Sequence, residues 1–162
     1  MSLFAQIWVS GLERGIECLG WIAEHSSKAT PLPAHLEVGK RGEQAAFFYL
    51  RRKGYVVAAT RWSPGHEPGD IDLIAWQGKL LCIVEVKTRT AHDMTAAEVA
   101  VDAHKRTMLR RLARQYVRQL PQQTAPNVRF DVISVYLLPG QKKEFQHFEG
   151  AFGWNEHPRE WE

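Results

Sequence analysis

The chain has 162 residues, of which 44% are hydrophobic and 24% are charged. A chain of this length fits one globular domain, and its composition argues against a fibrous or wholly disordered protein. The formal net charge is only +3, but residues 39–125 carry 15 Lys and Arg against 8 Asp and Glu. The middle of the chain is therefore basic, which fits either a polyanionic partner or a solvated basic surface.

Residues 1–35 are predicted to form an N-terminal amphipathic helix and a linker. Apolar side chains recur at helical spacing, and residues 26–33 have the Ser- and Pro-rich composition of a linker. Charges at Glu13, Arg14 and Glu17 interrupt the apolar run, so the sequence predicts neither a transmembrane segment nor a signal peptide. The helix is expected to pack on the body of the protein, or to contact a membrane surface or another partner.

Residues 36–153 are predicted to form one α/β domain, followed by a C-terminal tail over residues 154–162. One helix is predicted over 36–53, and a second opens at a capping box over 95–98 and ends before Pro121. The predicted strands cover residues 55–59, 71–76, 79–87, 128–138 and 144–148. This order predicts one central sheet flanked by helices, in two or three layers.

The two cysteines, Cys18 and Cys82, predict neither a disulfide framework nor a zinc site. No CxxC motif occurs, and no Cys/His cluster has zinc spacing. Cys82 lies in the apolar run 80–84, where a buried thiol is expected. This cysteine usage indicates a reducing compartment, and we expect the protein to be cytoplasmic.

The predicted strand over residues 79–87 carries charges where a core strand should have none. It is apolar over residues 80–84 and continues with Glu85 and Lys87. Charged side chains in a buried strand must be paired with each other, neutralised or bound to a metal, because unpaired burial costs several kcal/mol. An internal ion pair of Glu85 and Lys87 is one explanation, and a metal site is the other.

A hairpin connects this strand to the one before it and places Asp72 nearby. If the tight turn is centred on residues 77–78, Asp72 faces Ile83 and lies diagonally from Glu85 on the same face of the sheet. Two carboxylates in this arrangement can share a magnesium or manganese ion, and the carbonyl of Val86 could add a ligand. A register shifted by one residue would separate them.

Two further candidates lie on the predicted helices. Glu43 shares a helical face with the apolar residues four and seven positions later, so its carboxylate points inward. Lys105 is an ammonium group in an apolar stripe of the second helix. The alternatives are an ordinary acid of a helix's first turn at Glu43 and a side chain at Lys105 that extends outward to solvent.

These groups together suit metal-assisted phosphodiester hydrolysis. A magnesium ion held by Asp72 and Glu85 would polarise the phosphoryl oxygen and lower the pKa of its bound water. Lys87 would orient that water or stabilise negative charge at phosphorus. Glu43 would hold a second metal ion or a metal-bound water, and Arg89 is placed to contact a neighbouring phosphate.

The second predicted helix is strongly basic and contains no acid from residue 103 to residue 120. Such a surface binds phosphates without sequence preference, and a solvated basic face is the alternative. The candidate nucleic-acid-binding residues on it are Lys105, Arg106, Arg110, Arg114 and Arg118. The last three, at intervals of four residues, are predicted to form one stripe.

The ordered set of these residues resembles the PD-(D/E)xK nuclease signature and, more specifically, the bacterial YraN family of predicted endonucleases. The similarity covers about residues 39–153. Its motifs are Gly42-Glu43 opening a helix, GDIDLI over residues 69–74, VEVKTR over residues 84–89, Lys105, RFDV over residues 129–132, and Ala151-Phe152. Two positions depart from the pattern: Ile71 replaces the proline of the signature, and Asp70 stands where the family usually has glutamate.

The resemblance implies a restriction-endonuclease-like fold with a mixed central sheet, and a relationship to archaeal Holliday-junction resolvases. It implies a Mg²⁺ or Mn²⁺ site at Glu43, Asp72 and Glu85, with Lys87 as the catalytic lysine, and it suggests a homodimer. The expected function is a metal-dependent endonuclease that acts on DNA, including branched DNA. The alternative is a nucleic-acid-binding protein that keeps this fold with little or no turnover.

Overall fold

The computed structural model describes residues 33–65, 68–91, 101–121 and 125–155. Within them, a mixed five-stranded sheet and two helices confirm the predicted α/β class. The helices are α1 (Ala34–Arg52) and α2 (Ala103–Gln119), and the strands are β1 (Val56–Trp62), β2 (Ile71–Gln77), β3 (Leu80–Arg89), β4 (Asn127–Tyr136) and β5 (Glu144–Phe152). The predicted N-terminal helix, the capping box over 95–98 and the tail beyond residue 155 lie outside the described residues.

The five strands follow their chain order across the sheet, from β1 at one edge to β5 at the other. Neighbouring strands are antiparallel, except that β3 and β4 run parallel. Parallel neighbours need a crossover connection, and α2 lies in it. The central strand β3 is buried from Leu81 to Val86, including the Cys82 thiol, as its continuous apolar pattern predicts.

Each face of the sheet is covered by one helix, which creates two hydrophobic cores. On one face, Leu50 of α1 packs in a cluster with Val84 of β3. On the other face, Leu112 of α2 packs in a cluster with Ile83. Because side chains alternate along a strand, Glu85 lies on the same face as Ile83 and therefore faces α2. Neither of the two described helices is long and apolar enough to cross a membrane.

The hairpin between β2 and β3 turns one residue later than predicted. Its turn consists of residues 78–79 and begins with a glycine at φ +61°, which suits the first position of a type II′ turn. The predicted pairing of Asp72 with Ile83 is therefore wrong. The observed ladder, continued by one pair beyond Leu73, brings Asp72 directly opposite Glu85. The observed partner of Asp72 differs from the predicted one by two residues. Because side chains alternate with a period of two, Asp72 and Glu85 still share a face of the sheet.

The helix predicted over residues 36–53 is confirmed, with its start two residues earlier at Ala34, whereas two other expectations about helix starts are wrong. Helix α2 begins after Asp102, whose carboxylate caps it by accepting a hydrogen bond from the backbone N–H of Lys105 at 2.8 Å. The capping box over 95–98 therefore does not open this helix. Gly42 and Glu43, expected to open a helix, lie in the middle of α1, so Glu43 is not an acid of the first turn.

Strand β5 runs past its predicted end at residue 148. The register between β4 and β5 shifts between Phe130 and Val132, and Gly150 adopts a positive φ of +64° in the added stretch. Glycine at such an irregularity interrupts the alternation by which a strand is recognised in sequence. The extension brings Phe152 and Trp154 against Phe130, with ring centroids 4.8 and 4.9 Å apart.

Gly42 allows α1 to approach β3 closely, because a Cβ at this position would overlap Oγ1 of Thr88. We expect Gly42→Ala to destabilise the protein by about 1–3 kcal/mol, despite the higher helix propensity of alanine. Gly39→Ala is the matched control, since its Cβ would have no neighbour within 4 Å, and it should be neutral or slightly stabilising. Urea unfolding measures both variants, and equal stability of the two would contradict the close contact.

Candidate functional site

The three acidic residues predicted from the sequence line one open cleft of about 470 Å³. Glu43 reaches it from α1, Asp72 from β2 and Glu85 from β3, and Val86 lies beside them. Thr88 of the same strand also lines the cleft. The fold therefore brings together acidic side chains that come from three separate elements of the chain.

Glu85 is buried, and two lysines neutralise it. Its side chain is 3% exposed, Nζ of Lys87 donates a hydrogen bond to Oε1 at 2.9 Å, and Nζ of Lys105 lies 2.9 Å from Oε2. Burial by itself would lower the pKa of Lys105, but the charge and hydrogen bond of Glu85, together with the charges of Asp72 and Asp70, outweigh this effect and the pKa is raised. The internal ion pair expected as one alternative is present, and it includes a second lysine.

Asp72 faces the same cleft and is held by the backbone of the neighbouring strand. The N–H of Val86 donates a hydrogen bond to Oδ2 of Asp72 at 2.7 Å. Burial and the nearby charge of Glu85 raise the pKa of Asp72 to about 7. Burial is the larger cause of this rise, and the charge of Glu85 adds a negative potential at Asp72 that a bound cation would relieve.

Glu43 lies close to Arg61, a residue that the sequence analysis missed. Nε of Arg61 is 3.7 Å from Oε2 of Glu43 and 3.6 Å from Oδ2 of Asp70. Burial raises the pKa of Glu43, and the charge of Arg61 opposes this rise. Arg61 carries no sequence signal, because a basic side chain at the end of an edge strand is usually solvated.

Asp72 and Glu85 suit a hard divalent cation that takes only one or two ligands from the protein. They do not suit a metal ion whose ligands all come from protein side chains. Among the described residues, no three His, Cys, Asp or Glu side chains are grouped closely enough to hold a metal ion. Magnesium, however, is usually held by one or two carboxylates and completes its coordination with water and substrate phosphates. Oε2 of Glu85 is buried and lies 2.9 Å from the Lys105 ammonium, so a bound ion would share this oxygen with Lys105 or displace the lysine from it.

The basic surface of α2 differs from the predicted stripe at Arg110. This side chain is buried, its Nε donates a hydrogen bond to the carbonyl oxygen of Gly153 at 2.8 Å, and its guanidinium lies over the ring of Phe152. Arg110 therefore packs β5 against α2, and its predicted place in an exposed basic stripe is wrong. Lys105 was assigned to the same surface, but its ammonium contacts Glu85 in the site.

The exposed cations of α2 form a stripe that differs from the predicted one in its first residue. Arg114 and Arg118 are exposed as predicted, and Arg111 takes the place expected for Arg110. The guanidinium of Arg114 lies 5.1 Å from the ring centre of Trp154. The remaining predicted contacts, Arg89 and Arg106, are half-buried. The helix keeps a basic outer face, but fewer of its cations are displayed than the sequence suggests.

A second buried charge cluster, centred on Asp131, lies outside the lining of the cleft. Its carboxylate accepts hydrogen bonds from Nε and Nη2 of Arg129 at 2.8 and 2.9 Å and from the N–H of Gly150 at 2.9 Å. Nε2 of His147 lies 3.0 Å from Oδ2. Burial by itself would raise the pKa of Asp131, but the hydrogen bonds from His147 and Arg129 outweigh it and lower the pKa. These contacts give Asp131 a structural role.

The raised pKa of Asp72 predicts how stability depends on pH. The folded state holds this proton more tightly than the unfolded chain, so metal-free protein should lose stability as the pH rises from about 4 to about 7. Asp72→Asn keeps an acceptor for the N–H of Val86, and we expect it to be more stable than the wild type at pH 8 by about 1–3 kcal/mol. Thermal unfolding in EDTA at pH 5 and pH 8 checks this.

Added magnesium provides the control for the Asp72→Asn comparison. An ion that binds only the folded state raises the unfolding temperature, so we expect a rise for the wild type and little or none for the variant. A variant that is less stable than the wild type at pH 8 would contradict the high negative potential at Asp72.

Comparison with known proteins identifies similar sequences over the region that contains the cleft. A model described as "Uncharacterised protein family UPF0102" matches residues 42–135, more than half of the chain. A UPF0102 protein from Koribacter versatilis (strain Ellin345) is 47% identical over 120 residues, which cover 74% of this chain and 82% of the relative. UPF0102 proteins from Solibacter usitatus (strain Ellin6076) and Porphyromonas gingivalis (strain ATCC BAA-308 / W83) are 44% and 42% identical, over 70% and 73% of this chain and 84% and 85% of the relatives.

Proposed function

The chain belongs to the UPF0102 family, and we propose that it is a metal-dependent endonuclease that hydrolyses phosphodiester bonds in DNA. The proposal includes a restriction-endonuclease-like (PD-(D/E)xK) core and Mg²⁺ or Mn²⁺ as the cofactor. One observation carries it: Asp72 and Glu85 lie side by side on adjacent strands in an open cleft, with Lys87 bonded to Glu85. A carboxylate pair with an adjoining lysine suits metal-assisted phosphodiester hydrolysis, because the carboxylates can hold the cation and the ammonium can stabilise negative charge.

Each residue has a role that follows from its contacts. Asp72 and Glu85 would hold the cation, with Glu43 as a further oxygen donor in the same cleft. The cation, when bound, would neutralise the phosphodiester and promote ionisation of water. Lys87 is fixed by Glu85 but its side chain is still 32% exposed, so its ammonium can contact a phosphate and stabilise negative charge.

Lys105 has a supporting role in this proposal. Its ammonium lies 2.9 Å from Oε2 of Glu85. It therefore offsets the charge of that carboxylate and fixes the orientation of the carboxylate group. The exposed cations of α2, Arg111, Arg114 and Arg118, would bind the sugar-phosphate backbone on the outside of the helix. The helix contains no base-reading motif, which favours recognition of DNA structure over recognition of sequence.

A second candidate function is nucleic-acid binding without turnover. Two ammonium groups already neutralise Glu85, so the site is stable without a metal and a cation would have to compete with them. A protein that had lost catalysis could keep this arrangement for structural reasons. The acid at Asp72 with a raised pKa favours the enzyme, because a purely structural site has no need of two adjacent carboxylates.

The test is incubation of the purified protein with branched, flapped and linear DNA over a range of magnesium and manganese concentrations. We expect products that require the metal and disappear in EDTA, with branched or flapped DNA cut faster than linear duplex. Salt-sensitive binding without any product on every substrate would overturn the enzyme and support the binding protein. Sedimentation of the same samples tests the homodimer, which stays a prediction.

A further inference from the structure

A second cavity adjoins the cleft on the other side of Glu43. It has a volume of about 300 Å³ and lies between α1 and the β1–β2 hairpin. Phe47, Phe48 and Leu73 form its apolar part, and Arg61 lies at its edge. Glu43 lines both this cavity and the carboxylate cleft, so the two are immediate neighbours.

The apolar part of the cavity suits a flat aromatic ligand. The rings of Phe47 and Phe48 meet edge to face, with centroids 5.2 Å apart and planes at 86°. Phe48 and Leu73 are buried, while Phe47 is only half-buried and presents part of its ring to the cavity. Exposed aromatic surface of this kind is where single-stranded nucleic-acid-binding proteins stack bases, and stacking tolerates any base sequence.

The rim of the cavity is cationic. Lys40 and Arg61 both line it, and both residues are exposed. The Arg61 guanidinium is held 3.6–3.7 Å from Asp70 and Glu43, which are long ion-pair distances that leave it able to contact an anion. An apolar cavity edged by two cations is complementary to a base and the phosphates on either side of it.

The backbone of Arg61 supports a functional role for this rim. Arg61 has φ +47° and is the one described residue other than glycine with a positive φ. This conformation is strained for an arginine, and strained residues of this kind cluster at ligand-binding sites. The side chain of this residue lines the cavity and lies close to Glu43, which also lines the cleft.

We propose that this cavity receives an unpaired nucleobase of the nucleic acid whose phosphodiester lies in the Glu43–Asp72–Glu85 cleft. The inference rests on the proposed function and names its substrate class: DNA with unpaired nucleotides, such as flaps and branch points. A base in a continuous duplex is stacked and paired, so it reaches the cavity only after extrusion from the helix. Nucleotides that are already unpaired avoid that cost.

The test is a binding measurement in EDTA, in which no cleavage occurs. The full chain is titrated with single-stranded oligothymidine and with an oligonucleotide of equal length whose bases are replaced by abasic sites. We expect the base-containing strand to bind about tenfold more tightly, as one or more stacking contacts would give. Equal affinity for the two strands, or no binding of either, would overturn the proposal.

A cavity-filling substitution identifies where the base binds. Thr60 lines the cavity and is exposed, so Thr60→Met can extend into the cavity without disturbing the core. Val56→Met is the matched control, because Val56 is an exposed residue of the same strand, four positions away, and does not line the cavity. We expect the preference for bases to fall toward unity in Thr60→Met and to persist in Val56→Met. An unchanged preference in both variants would overturn the assignment.

The nucleobase cavity and the endonuclease activity can be overturned independently, because binding and cleavage are measured separately. Base-dependent binding without any metal-dependent cleavage would leave the nucleobase cavity in place and overturn the endonuclease. Cleavage by a protein that binds abasic and normal strands equally would support the endonuclease and overturn the cavity.

Discussion

Lys87→Ala is expected to reduce metal-dependent DNA cleavage by a factor of about 10² to 10³ while the protein stays folded and binds DNA. The Lys87 ammonium is fixed by Oε1 of Glu85 at the position where negative charge would develop during hydrolysis, and removal of one such group typically has an effect of this size. Glu85 keeps Lys105 as a partner, so its burial remains compensated. Single-turnover cleavage at saturating protein separates the chemical step from DNA binding.

The matched control is Lys79→Ala, which removes an exposed lysine from the turn at the other end of the same strand. It should leave the cleavage rate unchanged. Asp72→Asn should reduce cleavage at least as much as Lys87→Ala, because it removes a carboxylate from the cation site. Cleavage that survives both Lys87→Ala and Asp72→Asn would refute the mechanism, and loss only in Lys105→Ala would transfer the role of Lys87 to Lys105.

Asp131→Ala is expected to destabilise the fold by about 3–5 kcal/mol, the largest stability effect that we predict. The Asp131 side chain is fully buried. Among the described residues, its removal leaves Arg129 with only Tyr55 and the half-exposed Glu149 as partners, and it removes the acceptor of the hydrogen bond from the N–H of Gly150. Breaking a buried pair by removing one partner typically costs this much, because the remaining charge stays desolvated. Urea unfolding measures the loss.

Glu149→Gln is the control for Asp131→Ala within the same cluster. Glu149 also contacts Arg129, at 2.9 Å, but its side chain is 44% exposed, so we expect a loss below about 1 kcal/mol. Because the pKa of Asp131 is lowered in the folded state, its contribution is present above about pH 4 and is lost as the pH falls further. The loss of unfolding free energy in Asp131→Ala should become smaller at acidic pH and should exceed the loss in Glu149→Gln. Either a loss that is independent of pH or equal losses in the two variants would contradict this account.

The prediction that Asp72 and Glu85 share a face of the sheet holds despite an error in the predicted register, because side chains alternate along a β-strand. The sequence placed the hairpin turn one residue too early, which changes the partner of Asp72 from Glu85 to Ile83. That error moves the pairing by two residues, and side chains alternate with a period of two. The two carboxylates were therefore assigned to the correct shared face for a reason that does not depend on the turn.

The errors on α2 have a different physical origin. The periodicity of the sequence shows which residues share a face of α2. It does not show which of these residues a neighbouring strand covers. The extension of β5 to Phe152 covers Arg110, which turns it from an exposed cation into a packing residue. The burial of Lys105 against Glu85 likewise depends on how α2 crosses the sheet. Arginine and lysine have long side chains that suit either environment.

The sequence by itself determined the α/β class, the buried central strand and the charged residues in it, because these follow from local patterns of apolar and polar side chains. Only the tertiary structure decided which charges meet: the two lysines on Glu85, Arg61 beside Glu43, and the cluster around Asp131. Such contacts join residues that are distant in the chain, and their energies depend on distance and burial. A one-dimensional pattern contains neither quantity.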